Sequence, residues 1–471
     1  MQNKNYSVDV LMQAIARVLG GFISFFAIFI LTYLFTESQI GEYNLILSTV
    51  NIVASLGTLW LSQSVLRFYE EKNDLGAVII MTGISVIICL AVYGIFNLFY
   101  HQAKSGWVYA YIVLLVLYNI FDAVFRRSRR LMDYVLLELL LAVGRVIPMV
   151  LLAKMTHDYN SIFISQCVVI FIFFVILIIN NRAQLANTAY RVEKKMMLQY
   201  LRFGMPLMGL AVSNWFLTTS DRYIIKFFKG NSEVGIYSTN YSLANSIYMM
   251  FSLIVVNAFH PIIMKEWTRS RKETLNLVSK AIDLYLMLMI PLTFYGCLKS
   301  NVLLSLFNGK SYAEHFWIFN WTALGILFYG LSLLYHKYYE LIEKTKMILM
   351  INIIAAISNI VMNFLMIPRF GFEVAAFTTF VSYILYIFIV RALTHKKFKV
   401  ESNKRNVFIM IASIIVFGVA DSFLLKTNNV LTFFAEGVIY VLYTAAVYQV
   451  THVIDIRTLV TNLLLGKNKE K

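Results

Sequence analysis

The chain is short of charge. Only 14% of its 471 residues are Asp, Glu, Lys or Arg, 59% are hydrophobic, and mean hydropathy is +0.70. A soluble domain carries roughly 25% charged residues, so too little polar surface is left to coat a water-soluble globule. Cysteine is scarce as well. Cys89, Cys167 and Cys297 all lie in apolar runs and form no CxxC pair, which excludes a disulfide framework and leaves them as small buried hydrophobes. A basic domain is missing: the net charge of +16 is spread over many short loops, which excludes nucleic acid as a partner. Catalytic signatures are missing too. Gly309-Lys310-Ser311 imitates the end of a phosphate-binding loop, but Leu304 stands where its first glycine belongs. No metal-ligand spacing or nucleophile elbow occurs, so neither an enzyme nor a cofactor is expected. No odd-numbered loop is long enough for a membrane-embedded glycan ligase or polymerase. Met1–Val10 lacks a cleavable signal pattern, and the apolar run that follows reads as a retained helix.

What the chain does have is apolar stretches long enough to cross a bilayer. A span needs about 20 apolar residues, because a helix rises about 1.5 Å per residue across a core of about 30 Å. Barrel strands of about 10 residues are far shorter than the runs here. Hydropathy predicts fourteen helices, over 11–34, 44–66, 77–100, 107–126, 133–153, 162–181, 203–228, 236–260, 277–298, 316–336, 347–367, 372–393, 406–425 and 430–451. The predicted class is therefore an all-α polytopic membrane protein. Of the 41 Lys and Arg, 30 fall in the termini and even-numbered loops and 8 in the odd-numbered loops, counting helix-end residues with the adjoining loop. Positive charge collects on the cytoplasmic side, so both termini are expected there. The densest clusters, Arg126 to Arg130 and Lys396 to Arg405, suit loops lying against lipid headgroups.

The sequence repeats itself. Gly41-Glu42-Tyr43 after the first helix matches Gly235-Ile236-Tyr237 after the seventh, an offset of 194. At that offset Asn44, Ser48, Asn51 and Thr58 fall on Ser238, Ser242, Asn245 and Ser252. In helix two, Asn44, Ser48, Asn51, Ser55, Thr58 and Ser62 are spaced 4, 3, 4, 3 and 4, which makes one polar stripe on a 3.6-residue helix. A second match, at offset 214, sets Glu138 and Arg145 of helix five over Asn352 and Asn359 of helix eleven. Helices 1–6 (residues 1–181) and 7–12 (203–395) thus read as two six-helix lobes. The segment 182–202 forms a cytoplasmic, amphipathic linker, and 396–471 carries helices 13 and 14. Six spans is an even number, so the lobes insert the same way round, related by an axis along the membrane normal. Polar stripes serve either as helix–helix contacts or as walls of a wet cavity; their recurrence in both lobes favours a cavity.

Charges inside helices cost about 2.5–3.5 kcal/mol each on insertion scales, so each needs a partner, water or a role. Arg17 shares a face with Gln13, Gly20 and Ser24. Arg145 lies two turns from Glu138. Asn214, Thr218 and Asp221 form a stripe in helix seven, beside Arg222. The candidate cavity residues are therefore Arg17, Asn51, Ser55, Arg145, Asn214, Thr218, Arg222 and Asn245, with Glu138 and Asp221 as candidates for ion coupling. Glu436 is given no role. Guanidinium groups match phosphate oxygens in a bidentate fork, and hydroxyl and amide stripes suit sugars. A lateral gap would leave a lipid tail in the bilayer. These features fit a flippase for a lipid-linked glycan, and composition allows a drug exporter too.

The order of Gly41-Glu42-Tyr43, Leu61 to Tyr69, Leu201 to Leu207, Ser220-Asp221-Arg222, Val234 to Tyr237, Asn363 and Ile367-Pro368-Arg369-Phe370-Gly371 resembles the polysaccharide flippase family (Wzx-like O-antigen and capsule transporters), within the multidrug/oligosaccharidyl-lipid/polysaccharide exporter superfamily. The resemblance implies transport of an undecaprenyl-diphosphate-linked oligosaccharide from the cytoplasmic to the outer leaflet of a bacterial inner membrane. It also implies alternating access by two lobes, cationic cavity residues at Arg17, Arg145 and Arg222, and a polysaccharide polymerase as a possible partner alongside membrane lipids. Lipid II flippases are relatives and stay open as an alternative. Cation-coupled drug exporters are a further alternative, weakened because helix one carries arginine where they carry an acid.

Overall fold

Long apolar runs keep every backbone hydrogen bond inside the segment, which makes helix the only open-ended structure lipid tolerates. The computed structural model describes residues 23, 25–100, 105–127, 146–180, 182, 192–307, 309–400, 402–424 and 429–453, and they are helical apart from short connections. We label the helices α1 (Phe25–Leu34), α2 (Glu37–Phe68), α3 (Glu71–Tyr100), α4 (Gly106–Arg127), α5 (Val146–Thr156), α6 (Asn160–Asn180), α7 (Lys194–Phe228), α8 (Asn231–Trp267), α9 (Arg271–Phe307), α10 (Phe316–Tyr335), α11 (Thr345–Phe370), α12 (Val374–Thr394), α13 (Lys404–Leu424) and α14 (Val430–Val450). Among the described residues, eleven are long and apolar enough to cross a membrane: α2–α4, α6 and α8–α14. α7 is long enough but carries Lys194, Lys195, Arg202, Asp221, Arg222 and Lys226. The described parts of α1 and α5 are shorter. The protein is an all-α, multi-pass membrane protein.

Most helices outrun their apolar windows, because hydropathy marks the solvent and not the end of the helix. α2 begins seven residues before residue 44. There Thr36 Oγ1 accepts from the Gln39 amide and Gln39 Oε1 accepts from the Thr36 amide, a capping box, with Glu37 in the first turn against the helix dipole. Asn429 and Thr432 cap α14 in the same way. Lys194–Arg202, expected in the linker, forms the opening turns of α7. Tyr200 is buried there, and its carbonyl accepts from Ser64 Oγ at 2.8 Å.

Packing separates the chain into two compact units, residues 1–246 with 352–375, and residues 247–351 with 376–471. In the first, α2 lies against α3, α4 and α7, and α4 against α6. The closest approach joins repeat-related glycines. A Cβ on Gly41 would stand 1.8 Å from the Asn231 carbonyl oxygen, and a Cβ on Gly235 would stand 1.9 Å from that of Glu37. Asn231 is Glu37 displaced by the repeat offset of 194, so the contact is reciprocal. Only glycine permits backbones this close. In the second unit α9 is central, packing on α10, α13 and α14.

Candidate functional site

The α2–α7 contact in the first unit carries the predicted residues that the structure brings together. Asp221 and Arg222, adjacent on α7, point to different tasks. Asp221 is 1% exposed; its carboxylate accepts a short hydrogen bond from the Tyr237 hydroxyl and another, at 2.9 Å, from the Arg222 amide. The Arg222 guanidinium reaches across to α2, where Nη1 donates to Ser48 Oγ at 3.1 Å, and it lies 5.6 Å from the Tyr241 ring centroid. Its Nε is buried with no hydrogen-bond partner. The guanidinium donors that Ser48 leaves are suited to an oxyanion. Around it, Trp215 Nε1 donates to the Ser48 carbonyl at 3.1 Å, and the Tyr223 hydroxyl bonds with Thr49 Oγ1 at 2.6 Å.

The helix-two stripe divides. Ser48, Thr58 and Ser62 are buried, and each returns its hydroxyl hydrogen to a backbone carbonyl three or four residues earlier, at 2.6, 2.8 and 3.3 Å. These serve helix packing. Asn51 is exposed and Ser55 half-buried, as are Asn214, Thr218 and Asn245. Thr218 donates to the Asn214 carbonyl at 2.9 Å. On α11, Asn352 Nδ2 donates to Ser213 Oγ of α7 at 3.1 Å, and Asn363 Nδ2 to Asn359 Oδ1 at 3.1 Å. Arg17, Glu138 and Arg145 lie outside the described residues.

Two charged clusters in the second unit escaped the sequence reading. Lys299 of α9 sits 2.9 Å from an Asp421 carboxylate oxygen on α13 and 2.8 Å from Glu436 on α14, all three nearly fully buried. The signal was present: α13 and α14 each carry an acid inside an apolar run. The second cluster gathers His260, His336, Lys337 and Glu340. Beside the triad, α9 and α14 form an apolar groove of about 710 Å³, lined by Met287, Pro291, Tyr295, Phe433, Val441 and Tyr448 among others. Tyr295 stacks on Tyr440 at 4.7 Å, and the Tyr440 hydroxyl donates to the Pro291 carbonyl at 3.0 Å.

Intramembrane charges in a multi-pass helical protein suit a transporter, and comparison with known proteins gives the family. The model of the polysaccharide biosynthesis protein family (Polysacc_synt) matches residues 4–267, and that of the MatE family matches residues 206–365. The chain is a member of the polysaccharide biosynthesis protein family, within the MOP/MATE superfamily of transporters, which are not enzymes. No curated protein sequence matches it. Its fold is similar to that of the lipid II flippase MurJ in an inward closed conformation, at 15% identity and TM-score 0.73 over 96% of this chain and 99% of that one. An inward-facing multidrug resistance MATE transporter matches at 11% identity and TM-score 0.61, over 82% of this chain and 98% of its own. A MOP superfamily transporter from Pyrococcus furiosus, described as having a binding pocket of reversed polarity, matches at 10% identity and TM-score 0.57, over 83% and 95%.

Proposed function

We propose that the protein is a flippase that moves an undecaprenyl-diphosphate-linked oligosaccharide from the cytoplasmic to the outer leaflet of a bacterial inner membrane, for surface polysaccharide assembly. The observation that carries this reading is a difference in coverage. The polysaccharide family model takes the amino-terminal half. The MurJ fold spans 96% of the chain, whereas the MATE transporter, itself matched over 98% of its length, spans 82%. The chain therefore has a portion that the matched multidrug transporter lacks and the lipid II flippase has. In this reading fourteen spans form lobes at 1–181 and 203–395, joined by 182–202 and followed by 396–471, with both termini cytoplasmic. The reciprocal Gly41–Gly235 contact supports two lobes related by an axis along the membrane normal.

The cargo meets residues of matching chemistry. The diphosphate takes the arginines, half-buried Arg222 with the guanidinium donors that Ser48 leaves, and Arg17 and Arg145 with it. The sugars take the amides and hydroxyls of Asn51, Ser55, Asn214, Thr218 and Asn245. The apolar groove between α9 and α14 suits a polyprenyl tail that never enters water. About two negative charges moving outward down an inside-negative potential gain about 2.3 kcal/mol per charge per 100 mV. Ion exchange at Asp221 or Glu138 is the other available drive, and a polysaccharide polymerase is the natural recipient of the product.

Deleting the gene tests the class. The expected outcome is loss of one surface polysaccharide without lysis, restored by the wild-type chain and not by Arg17→Ala or Arg222→Ala variants that insert normally. Lethal lysis would favour lipid II as the cargo. Normal glycan with altered drug resistance would reject both.

A further inference from the structure

Titratable side chains in the second unit form one hydrogen-bonded chain between α8, the end of α10, and α12. The Tyr386 hydroxyl pairs with His336 Nδ1 at 2.9 Å, and His336 Nε2 with Glu340 Oε1 at 3.1 Å. Lys337 Nζ donates to Glu340 Oε2 at 2.7 Å and pairs with His260 Nδ1 at 3.0 Å. The bonding assigns the protons. A carboxylate only accepts, so His336 donates from Nε2 to Glu340, and its Nδ1 shares a hydrogen bond with the Tyr386 hydroxyl. An ammonium only donates, so His260 Nδ1 is unprotonated. Lys337 and Glu340 then balance as ammonium and carboxylate, with the unprotonated Nδ1 of His260 as the ammonium's second acceptor.

That balance is conditional. His336 has both nitrogens engaged and its side chain is 9% exposed, whereas that of His260 is 47% exposed. An arriving proton therefore lands on His260 Nδ1, taken from water on that side of the membrane. There it destroys the acceptor that Lys337 uses and sets a second cation about 3 Å from the first. Glu340 Oε2, 3.7 Å from His260 Nδ1, becomes contested by two cations. Lys337, whose side chain is 4% exposed, has no room to be hydrated where it stands.

The surrounding charges do not offset this. On its own helix α8, Lys265 is exposed and Glu266 half-buried, a turn or more beyond His260. On α12, Arg391 is stacked over Tyr335 at 4.8 Å. On α9, Lys280 is exposed and Asp283 accepts from the Asn403 amide at 2.9 Å. Both helices are weak at this level. Pro261 follows His260 within α8, and α10 ends at Tyr335, with His336 separating it from the one-turn helix Lys337–Leu341.

We infer that His260, held between Lys337 and Glu340, is a proton-binding site whose occupation parts α8 from the end of α10. A purely packing role needs only an acceptor at position 260; a proton site needs imidazole, which can take up a proton that an amide cannot. The test uses the full chain in lipid nanodiscs without substrate, so its outcome is independent of the transported cargo. Spin labels at Lys265→Cys and Lys344→Cys, both exposed, report the separation from about pH 8 to about pH 5. The expected result is a shift to longer distances on acidification that disappears in His260→Gln, which keeps the acceptor but cannot protonate. Lys337→Gln, which keeps a donor without the charge, should blunt the shift. A distance distribution unmoved by pH in the unsubstituted chain, or a shift that survives unchanged in His260→Gln, overturns the inference.

Discussion

Two regions of the molecule keep polar groups in an apolar phase by opposite means. Along α2 and α7 most of the groups are small and neutral, with the adjacent Asp221 and Arg222 as the charges taken into the pattern. They bond first to their own helix and then across it: Ser48 to the Asn44 carbonyl, Thr49 to Tyr223, Trp215 to the Ser48 carbonyl. Around α9, α13 and α14 the groups are few and charged, and Lys299 serves two carboxylates at once within an apolar wall. The first arrangement spreads its energy over many bonds, each about 0.5–1.5 kcal/mol. The second concentrates it, since breaking a buried ion pair costs about 3–5 kcal/mol. The first should tolerate single deletions and the second should not.

The largest effect should come from closing the space between backbones. Gly41→Leu and Gly235→Leu each force a side chain into a carbonyl less than 2 Å from the Cβ position, and should abolish surface glycan. Equal loss from the two variants, measured by export and by thermal unfolding, would mark the contact as reciprocal; a normal Gly235→Leu protein would break that equivalence.

Next comes the triad. Lys299→Met leaves two carboxylates buried without a cation, and should cost about 3–5 kcal/mol in unfolding experiments in detergent. Adding Asp421→Asn and Glu436→Gln should return most of it. A triple variant as unstable as the single one would show that packing, and not charge, holds α13 and α14 to α9.

The smallest effect belongs to the α2–α7 seam. Tyr223→Phe removes one hydroxyl from Thr49 and should cost about 1 kcal/mol, with export largely kept. A loss as large as that of Lys299→Met would erase the contrast between the two regions.

The same contrast explains what the sequence revealed. A stripe at spacings of 4 and 3 is visible without coordinates, so Ser48, Asp221 and Arg222 could be nominated, and α2 and α7 with them. Burial along the stripe was not visible: periodicity shows that Asn51 and Thr58 share a face, and only packing leaves the first exposed and buries the second. Lys299 and Asp421 stand 122 residues apart, each on a different helix, and no periodic signal joins them. His260 and Lys337 are separated by 77 residues in the same way. Helix ends such as Glu37 escape a hydropathy reading because a capped, charged turn extends a helix beyond the bilayer's apolar window.

The most direct test of the central claim is translocation by the purified chain. Proteoliposomes would carry a fluorescent undecaprenyl-diphosphate oligosaccharide in one leaflet, with its arrival in the other read by a membrane-impermeant quencher. The account predicts transfer by the wild-type chain and at least a tenfold loss in a folded Arg222→Ala variant, about 1.4 kcal/mol or more of lost cargo interaction. Transfer by Arg222→Ala at the wild-type rate, or none by the wild-type chain under an inside-negative potential, would contradict it.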